Sequence, residues 1–462
     1  MNRISLTILS TILCMTGWVL PCDSSVTNGS NALAQSPAAG GPLPVEIIHQ
    51  NDEFQLLRNG KPYFIKGVGG RGFLESAAAS GANSVRTWGA HDAGPLLDRA
   101  LSLGMTVTLG IWLSHEAADY EDPTYRQSIT EEVRNLVESH KDHPALLFWA
   151  LGNEINLEGA DTDAAWAFVD TLARTIKALD PNHPVITVIA SIGQTFDHIA
   201  ACAPTLDAVG INAYGSLTCV REMVDASAYD GPYLITEWGV TGHWEAQETH
   251  WGRPIEPTSA WKAEFQIERY HMDILANQDR CLGSYVFLWG QKQERTPTWY
   301  SMILAALPDG EDMSSPMVDA MHYNWTGHWP QNRAPEVSDL RINGVQAVNS
   351  IILGPGTPIL SQVHASDPDN DALLYVWEVL EEPTRLSTGG AYEETPARSA
   401  EIVQNGTPAL NLNAPLAAGD YRLFVYVLDR KGHAATANVP FQVQNGAGQT
   451  TIVAEKTEPA IK

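Results

Sequence analysis

Two apolar runs in this chain each carry a glutamate at their end: Trp149-Ala-Leu-Gly-Asn-Glu154 and Leu234-Ile-Thr-Glu-Trp-Gly239. Such runs read as buried strands, and a strand interior has no use for a carboxylate unless the carboxylate stands at the strand's mouth. Two glutamates on two strands of one sheet can flank a glycosidic bond, one giving a proton and the other attacking carbon. The attacking group must be ionised, and a cation such as Arg86 beside it favours that state. The proton donor must keep its proton, which burial and the second carboxylate's charge both promote. The plainer alternative for either glutamate is a structural ion pair or a strand cap.

Positioning two such groups takes a sheet, and the chain supplies one. Candidate strands cover residues 64–68, 84–88, 106–112, 145–151, 185–190, 208–213, 233–236 and 283–289. Helical patterns alternate with them. Trp166, Val169, Ala173, Ile176 and Leu179 form one apolar stripe that stops at Asp180-Pro181; residues 124–140 and 258–277 form others. Ser315-Pro316 reads as an N-cap with proline at the first helical position. Alternation of this kind predicts a (β/α)8 barrel, ahead of an open doubly wound sheet, since no glycine-rich phosphate loop follows the first strand. In a barrel the site lies at the C-terminal strand ends. Those ends carry Arg86 and Trp88, Trp112 and His115, Asn153 and Glu154, Asn212 and Tyr214, Glu237 and Trp238, and Trp289.

With these residues in place, the chain resembles the clan of (β/α)8 retaining glycoside hydrolases, in which an Asn-Glu pair ends strand four and a second Glu ends strand seven. It is most similar to the barrel domain of glycoside hydrolase family 2, through Gly152-Asn-Glu154, Asn212-Ala-Tyr214 and Thr236-Glu-Trp-Gly239, over residues 54–327. The resemblance implies a glycosidase cleaving O-glycosyl bonds, with Glu154 as general acid/base and Glu237 as nucleophile. Asn153 would then bind the sugar 2-hydroxyl, Arg86 and Tyr214 would steady the nucleophile, and Trp289 would floor the sugar subsite. Family 2 enzymes usually carry β-sandwiches before the barrel, whereas here a sandwich pattern follows it. A compact endo-glucanase, mannanase or glucanosyltransferase of the same clan fits that order equally.

The remaining sequence frames this core. Residues 1–34 read as a signal peptide, an apolar stretch after Arg3 with an Ala32-Leu33-Ala34 cleavage pattern, which predicts a secreted, periplasmic or cell-surface protein. A linker at 35–44 precedes a hairpin turning at Asn59-Gly60, so the catalytic domain spans 45–329. A second linker, 330–336, leads into short strands over 337–445, among them 350–353, 373–379 and 421–428, which predict an immunoglobulin-like β-sandwich. Residues 446–462 read as a disordered tail. The fold class is therefore α/β, a (β/α)8 TIM barrel followed by a small all-β sandwich.

A net charge of −26 argues against nucleic acid as a partner, because neutralising phosphates takes a basic face. The expected partner is a β-glycan or oligosaccharide, with cell-wall or surface contact through the sandwich. Fourteen Trp offer flat faces to sugar rings and serve equally as core filler. Residues 242–256, with His243, Trp244, His250, Trp251 and Arg253, read either as further sugar subsites or as a packing lid. No metal or other cofactor is expected: the histidines lack ligand spacing, and Cys202, Cys219 and Cys281 read as free, mostly buried thiols. Asp367-Pro-Asp-Asn-Asp371 resembles a turn of cadherin-like modules, some of which bind calcium, but a plain polar turn is the leading reading. Two other functional readings stand beside hydrolysis: a β-glucanosyltransferase using the same site, and a catalytically silent barrel that binds glycan.

Overall fold

The computed structural model describes residues 41–447, 451 and 452, apart from 158, 306, 308–311, 388, 390–391 and 400–402. The expected signal peptide and cleavage site lie outside these residues.

Eight parallel strands close into a barrel. They are β1 (Ile65–Gly69), β2 (Ser84–Arg86), β3 (Thr106–Ile111), β4 (Leu146–Leu151), β5 (Val185–Ala190), β6 (Ala208–Asn212), β7 (Tyr233–Trp238) and β8 (Cys281–Val286). Closure comes from β8 pairing with β1, Gly283 opposite Ile65 and Val286 opposite Val68. Most of these strands are buried on both faces, which is why they read as continuous apolar runs rather than as alternations. Inside the barrel, Phe148, Ala150, Ile186, Val188, Leu234 and Tyr285 share one core. The Tyr285 ring crosses that interior over Gly67, where a Cβ would stand 2.2 Å from it, and its hydroxyl meets Ser84 at 2.9 Å and Thr108 at 2.5 Å.

A helix follows each strand: α1 (Leu74–Ala79), α2 (Ala93–Ser102), α3 (Pro123–His140), α4 (Asp163–Leu179), α5 (Gly193–Cys202), α6 (Val220–Asp225), α7 (Ser259–Arg269) and α8 (Pro316–Thr326). Asp122 caps α3 by accepting from Thr124 N–H at 2.8 Å, and Thr162 caps α4 by accepting from Ala165 N–H at 3.2 Å. In α4 the stripe Trp166, Val169, Ala173 and Ile176 is fully buried against the strands. Ser315 does stand at the N-cap of α8, but its side chain makes no capping hydrogen bond, so proline at N1 is the working signal there. A hairpin (Val45–Gln50 with Glu53–Arg58) precedes the barrel and turns into Lys61–Pro62 through Asn59 and Gly60, both at positive φ.

After α8 the chain builds two antiparallel-rich sheets. Glu336–Ile342, Pro358–Ser366 and Ala409–Asn413 form one of three strands; Leu374–Glu381, Gly419–Leu428 and Ala434–Val443 are the long strands of the other, of six. Both sheets contribute to one core around Trp377, Val425 and Phe441, as in a sandwich. These sheets are fastened to the barrel by buried polar groups. Glu256 accepts from Lys262 Nζ at 2.5 Å and from Asn438 Nδ2 at 2.6 Å, while Arg422 donates to Glu382 and to the Pro254 carbonyl, each at 2.8 Å.

Two sequence expectations need correction. Of the three described cysteines only Cys281 is buried; Cys202 is half-buried and Cys219 exposed, because both lie at helix ends on the barrel's outside. The tail is not wholly unstructured, since Thr451–Ile452 pairs antiparallel with Ile351–Ile352.

Candidate active site

Glu237 comes to the barrel's mouth through a break in strand regularity. Leu234 faces the interior core, and Thr236 also points inward, its Oγ1 donating to Asn212 Oδ1 at 2.8 Å. Strict alternation would turn Glu237 outward and Trp238 inward. The pairing of β7 with β6 shifts register between Ile235 and Glu237, and this re-aims the two side chains. Glu237 therefore points into the mouth. Trp238 is fully buried outside the strands, stacked on Tyr270 at 5.9 Å. The expectation that Trp238 binds substrate is corrected by this shift.

The Glu237 carboxylate is surrounded by donors. Its Oε1 accepts from Arg86 Nη1 at 3.0 Å, Trp88 Nε1 at 2.6 Å and Asn212 Nδ2 at 2.9 Å, and its Oε2 accepts from Tyr214 OH at 2.9 Å. Arg86 is 1% exposed and holds its place by donating also to the Thr236 carbonyl and to Asn153 Oδ1, at 3.0 and 2.5 Å. Donors of this number fix the carboxylate in one orientation. The phenol of Tyr214 is held well above its ordinary range by burial and by the adjacent Glu237 charge, so it remains a donor.

Glu154 follows β4 with a backbone φ of +53°, a left-handed conformation that non-glycine residues rarely adopt. The turn that imposes it begins at Gly152 (φ +73°) and is anchored by Glu154 N–H donating to the Val188 carbonyl at 2.8 Å. Strain of this kind persists where surrounding structure over-determines it. Burial first, and the Glu237 charge second, push the Glu154 carboxyl up to about 7; an Asn212 hydrogen bond and the charges of Arg86 and Lys292 act against that rise. The mouth therefore holds one carboxyl poised to carry a proton beside a second that four donors hold in place.

Asn153 links the two glutamates' surroundings, its Oδ1 accepting from Arg86 and, at 3.2 Å, from Asn212 Nδ2. His115 Nε2 lies 2.7 Å from the Asn153 carbonyl, which can only accept, so Nε2 carries the proton. Beside it, Trp112 is 51% exposed, an open indole face at the site's edge. Trp289 does not offer such a face. It is 1% exposed, packs on Trp325 of α8 at 5.8 Å, and donates to the Phe73 carbonyl at 3.2 Å. The sugar-floor expectation for Trp289 is corrected, because its ring is enclosed by packing on Trp325 and leaves no open face for a sugar.

The aromatic group that β8 does deliver is Phe287, edge-on to Trp88 at 5.9 Å and to Tyr214 at 6.0 Å. Sequence reading missed it, along with Lys292 and Tyr300, whose ring lies 5.7 Å from Tyr214 and 5.5 Å from Phe287; a residue at the end of an apolar strand was the available signal for Phe287. Residues 242–256 are partly open and partly packed on the C-terminal region. Trp244 is 58% exposed beside Tyr214, whereas Arg253 pairs with Asp420 and His250 N–H donates to Ser350, both in the C-terminal sheets. Among the described residues, Asp367, Asp369 and Asp371 bring one oxygen each within 4.8 Å of one another. Lys431 and the Arg333 N–H already meet Asp371 and Asp369.

Residues 98–300 match the family described as "Glycosyl hydrolases family 2, TIM barrel domain". Mannan endo-1,4-beta-mannosidase F of Aspergillus clavatus is 24% identical over 187 residues, 35% of this chain and 43% of that protein. Beta-glucuronidase of Sus scrofa is 26% identical over 267 residues, 49% of this chain and 38% of that protein. The chain thus spans about two fifths of the length of these curated relatives. Among solved structures, a GH2 beta-galacturonidase from Eisenbergiella tayi is similar at 16% identity and a TM-score of 0.47, over 62% of this chain and 54% of that one.

Proposed function

We propose that this chain, whose residues 98–300 match the glycosyl hydrolases family 2 TIM barrel domain, is a retaining β-glycoside hydrolase that cleaves β-linked oligo- or polysaccharides by double displacement. The observation that carries the reading is the division of labour between two carboxyls at one barrel mouth. Glu237, bound by four donors, is the nucleophile; Glu154, pushed up to about 7, is the proton donor.

In the first step Glu154 protonates the glycosidic oxygen as it departs, and a Glu237 oxygen attacks the anomeric carbon to form a glycosyl ester. Arg86, Trp88, Asn212 and Tyr214 hold the attacking carboxylate in one orientation and pre-empt the desolvation it would otherwise suffer. In the second step Glu154, now ionised, removes a proton from water as that water attacks the anomeric carbon and Glu237 departs. The exposed faces of Trp112 and Trp244 are suited to further sugar rings on either side. Residues 1–34 support export, and N-terminal sequencing of secreted protein would then begin at Gln35.

The test is a variant pair assayed on activated aryl β-glycosides. Glu237→Ala should be inactive. Glu154→Ala should still form the glycosyl ester when the leaving group is good, and azide should restore turnover by attacking that ester in place of activated water. Inverted anomeric product in early NMR time points, or no loss of turnover in Glu237→Ala, would overturn the mechanism. Transfer to a second sugar in place of water would identify the transferase outcome on the same two residues.

A further inference from the structure

The turn that follows β8 carries Lys292 beside Phe287. Its ammonium lies 5.4 Å over the Phe287 ring and 2.6 Å from Glu294 Oε2, and Glu294 Oε1 in turn lies 3.1 Å from His243 Nε2. Phe287 touches Trp88 and Tyr214, two of the donors on Glu237. The turn is conformationally demanding, since Arg295 has a φ of +62°. Something must hold it.

The holding group comes from the C-terminal sheets. Glu393, 3% exposed, accepts through Oε1 from the Arg295 N–H at 2.8 Å and from Gln293 Nε2 at 3.1 Å. Its Oε2 accepts from the Ser387 N–H at 3.0 Å, so one carboxylate ties the barrel's turn to its own domain. The Gly389 carbonyl, from the same segment, accepts directly from Lys292 Nζ. This buried carboxylate meets two backbone amides, a side-chain amide, the Ser387 hydroxyl at 3.4 Å and the Arg295 guanidinium at 3.7 Å, on either side of a domain boundary, which fixes geometry rather than adding bulk.

We infer that Glu393 is a positioning residue of the active site: by clamping the turn at 293–295 it keeps Lys292 at the mouth, and the C-terminal sheets are thereby part of the catalytic unit. The inference rests on Glu154 being the proton donor. The groups that act on Glu154 are Glu237, Arg86, Lys292, Asn212 and Tyr214. Those that face Lys292 are Glu294, the Gly389 carbonyl and the Phe287 ring, with His243 behind Glu294. Arg86 is fixed independently by β7 and Asn153, so loosening the turn removes the Lys292 contribution alone.

The experiment compares Glu393→Ala, Glu393→Gln and Lys292→Met in the full chain. Two readouts are taken: the alkaline limb of kcat/KM against pH on an aryl β-glycoside, and the carboxyl 13C titration of Glu154, assigned by its loss in Glu154→Gln. Loss of a nearby positive charge disfavours the ionised form, so Lys292→Met and Glu393→Ala should both move limb and titration upward by about half a pH unit. Glu393→Gln, which keeps one carbonyl oxygen and the volume, should move them less and carries the test should the alanine variant not fold. Adding Glu393→Ala to Lys292→Met should produce no further shift. Reduced activity or melting temperature with limb and titration at their wild-type positions would overturn the inference. If wild-type protein hydrolyses no glycoside, the functional reading fails, and the 13C titration still decides whether Glu393 acts through Lys292.

Discussion

Replacing Glu154 by Gln should make the protein inactive on ordinary glycosides and, at alkaline pH, more stable. The carboxyl stands at about 7 in the folded protein against an ordinary 4.5. Between those values the folded chain keeps a proton that the unfolded chain has released, so stability falls as pH rises through that window. The loss runs at about 1.36 kcal/mol per pH unit and reaches on the order of 3 kcal/mol once pH exceeds the folded value. Below pH 4.5 both states are protonated and the cost vanishes. Glutamine keeps the shape and never ionises. Urea unfolding at pH 4 and pH 8 should therefore show Glu154→Gln equal to wild type at the lower pH and more stable by on the order of 3 kcal/mol at the higher. On the proposed mechanism the same group should set the alkaline limb of wild-type kcat/KM near pH 7, leaving about a tenth of maximal activity one unit above it. Equal stability differences at both pH values, or an alkaline limb unaffected by Glu154→Gln on a substrate with a good leaving group, would refute the reasoning.

Other substitutions separate the site from its scaffold. Arg86→Met leaves the buried Glu237 carboxylate without its cation and should cost about 3–5 kcal/mol of unfolding free energy together with turnover, read by denaturation and by initial rates. Trp238→Ala, at a fully buried position, should cost about 3–5 kcal/mol, whereas Trp244→Ala, at an exposed one, should leave stability unchanged and raise KM on oligosaccharides. Lys262→Met strands the Glu256 charge beneath the C-terminal sheets; calorimetry should show the melting point fall by a comparable free energy, with barrel and sheets still unfolding in one transition.

The fold was legible because the barrel writes its period into the chain. Strands buried on both faces read as short apolar runs, helices between them carry a one-sided stripe, and caps such as Asp122 and Thr162 mark where α3 and α4 start. The strand ends likewise pointed to Arg86, Trp88, Asn153, Glu154, Asn212, Tyr214 and Glu237, all of which stand at the mouth, because polar side chains at the ends of apolar runs have few other reasons to exist. Phe287 escaped notice for the opposite reason. An aromatic residue at a strand end looks like core, and only its edge contacts with Trp88 and Tyr214 reveal where it points.

What the sequence could not express is where regularity breaks. Glu237 and Trp238 are neighbours in the chain, and any reading by alternation sends them to opposite faces without saying which goes where. The register shift against β6 decides it, and that shift is a property of two strands together. The left-handed φ at Glu154 is similar: Gly152 announces a tight turn, but the Val188 carbonyl, supplied by the next strand, is what holds the glutamate in that conformation. The reach of Glu393 into the turn after β8 spans about a hundred residues and a domain boundary. In each case the deciding partner lies on another element. Local pattern therefore predicts which residues arrive at the mouth, and contacts between elements determine how each of them faces the substrate.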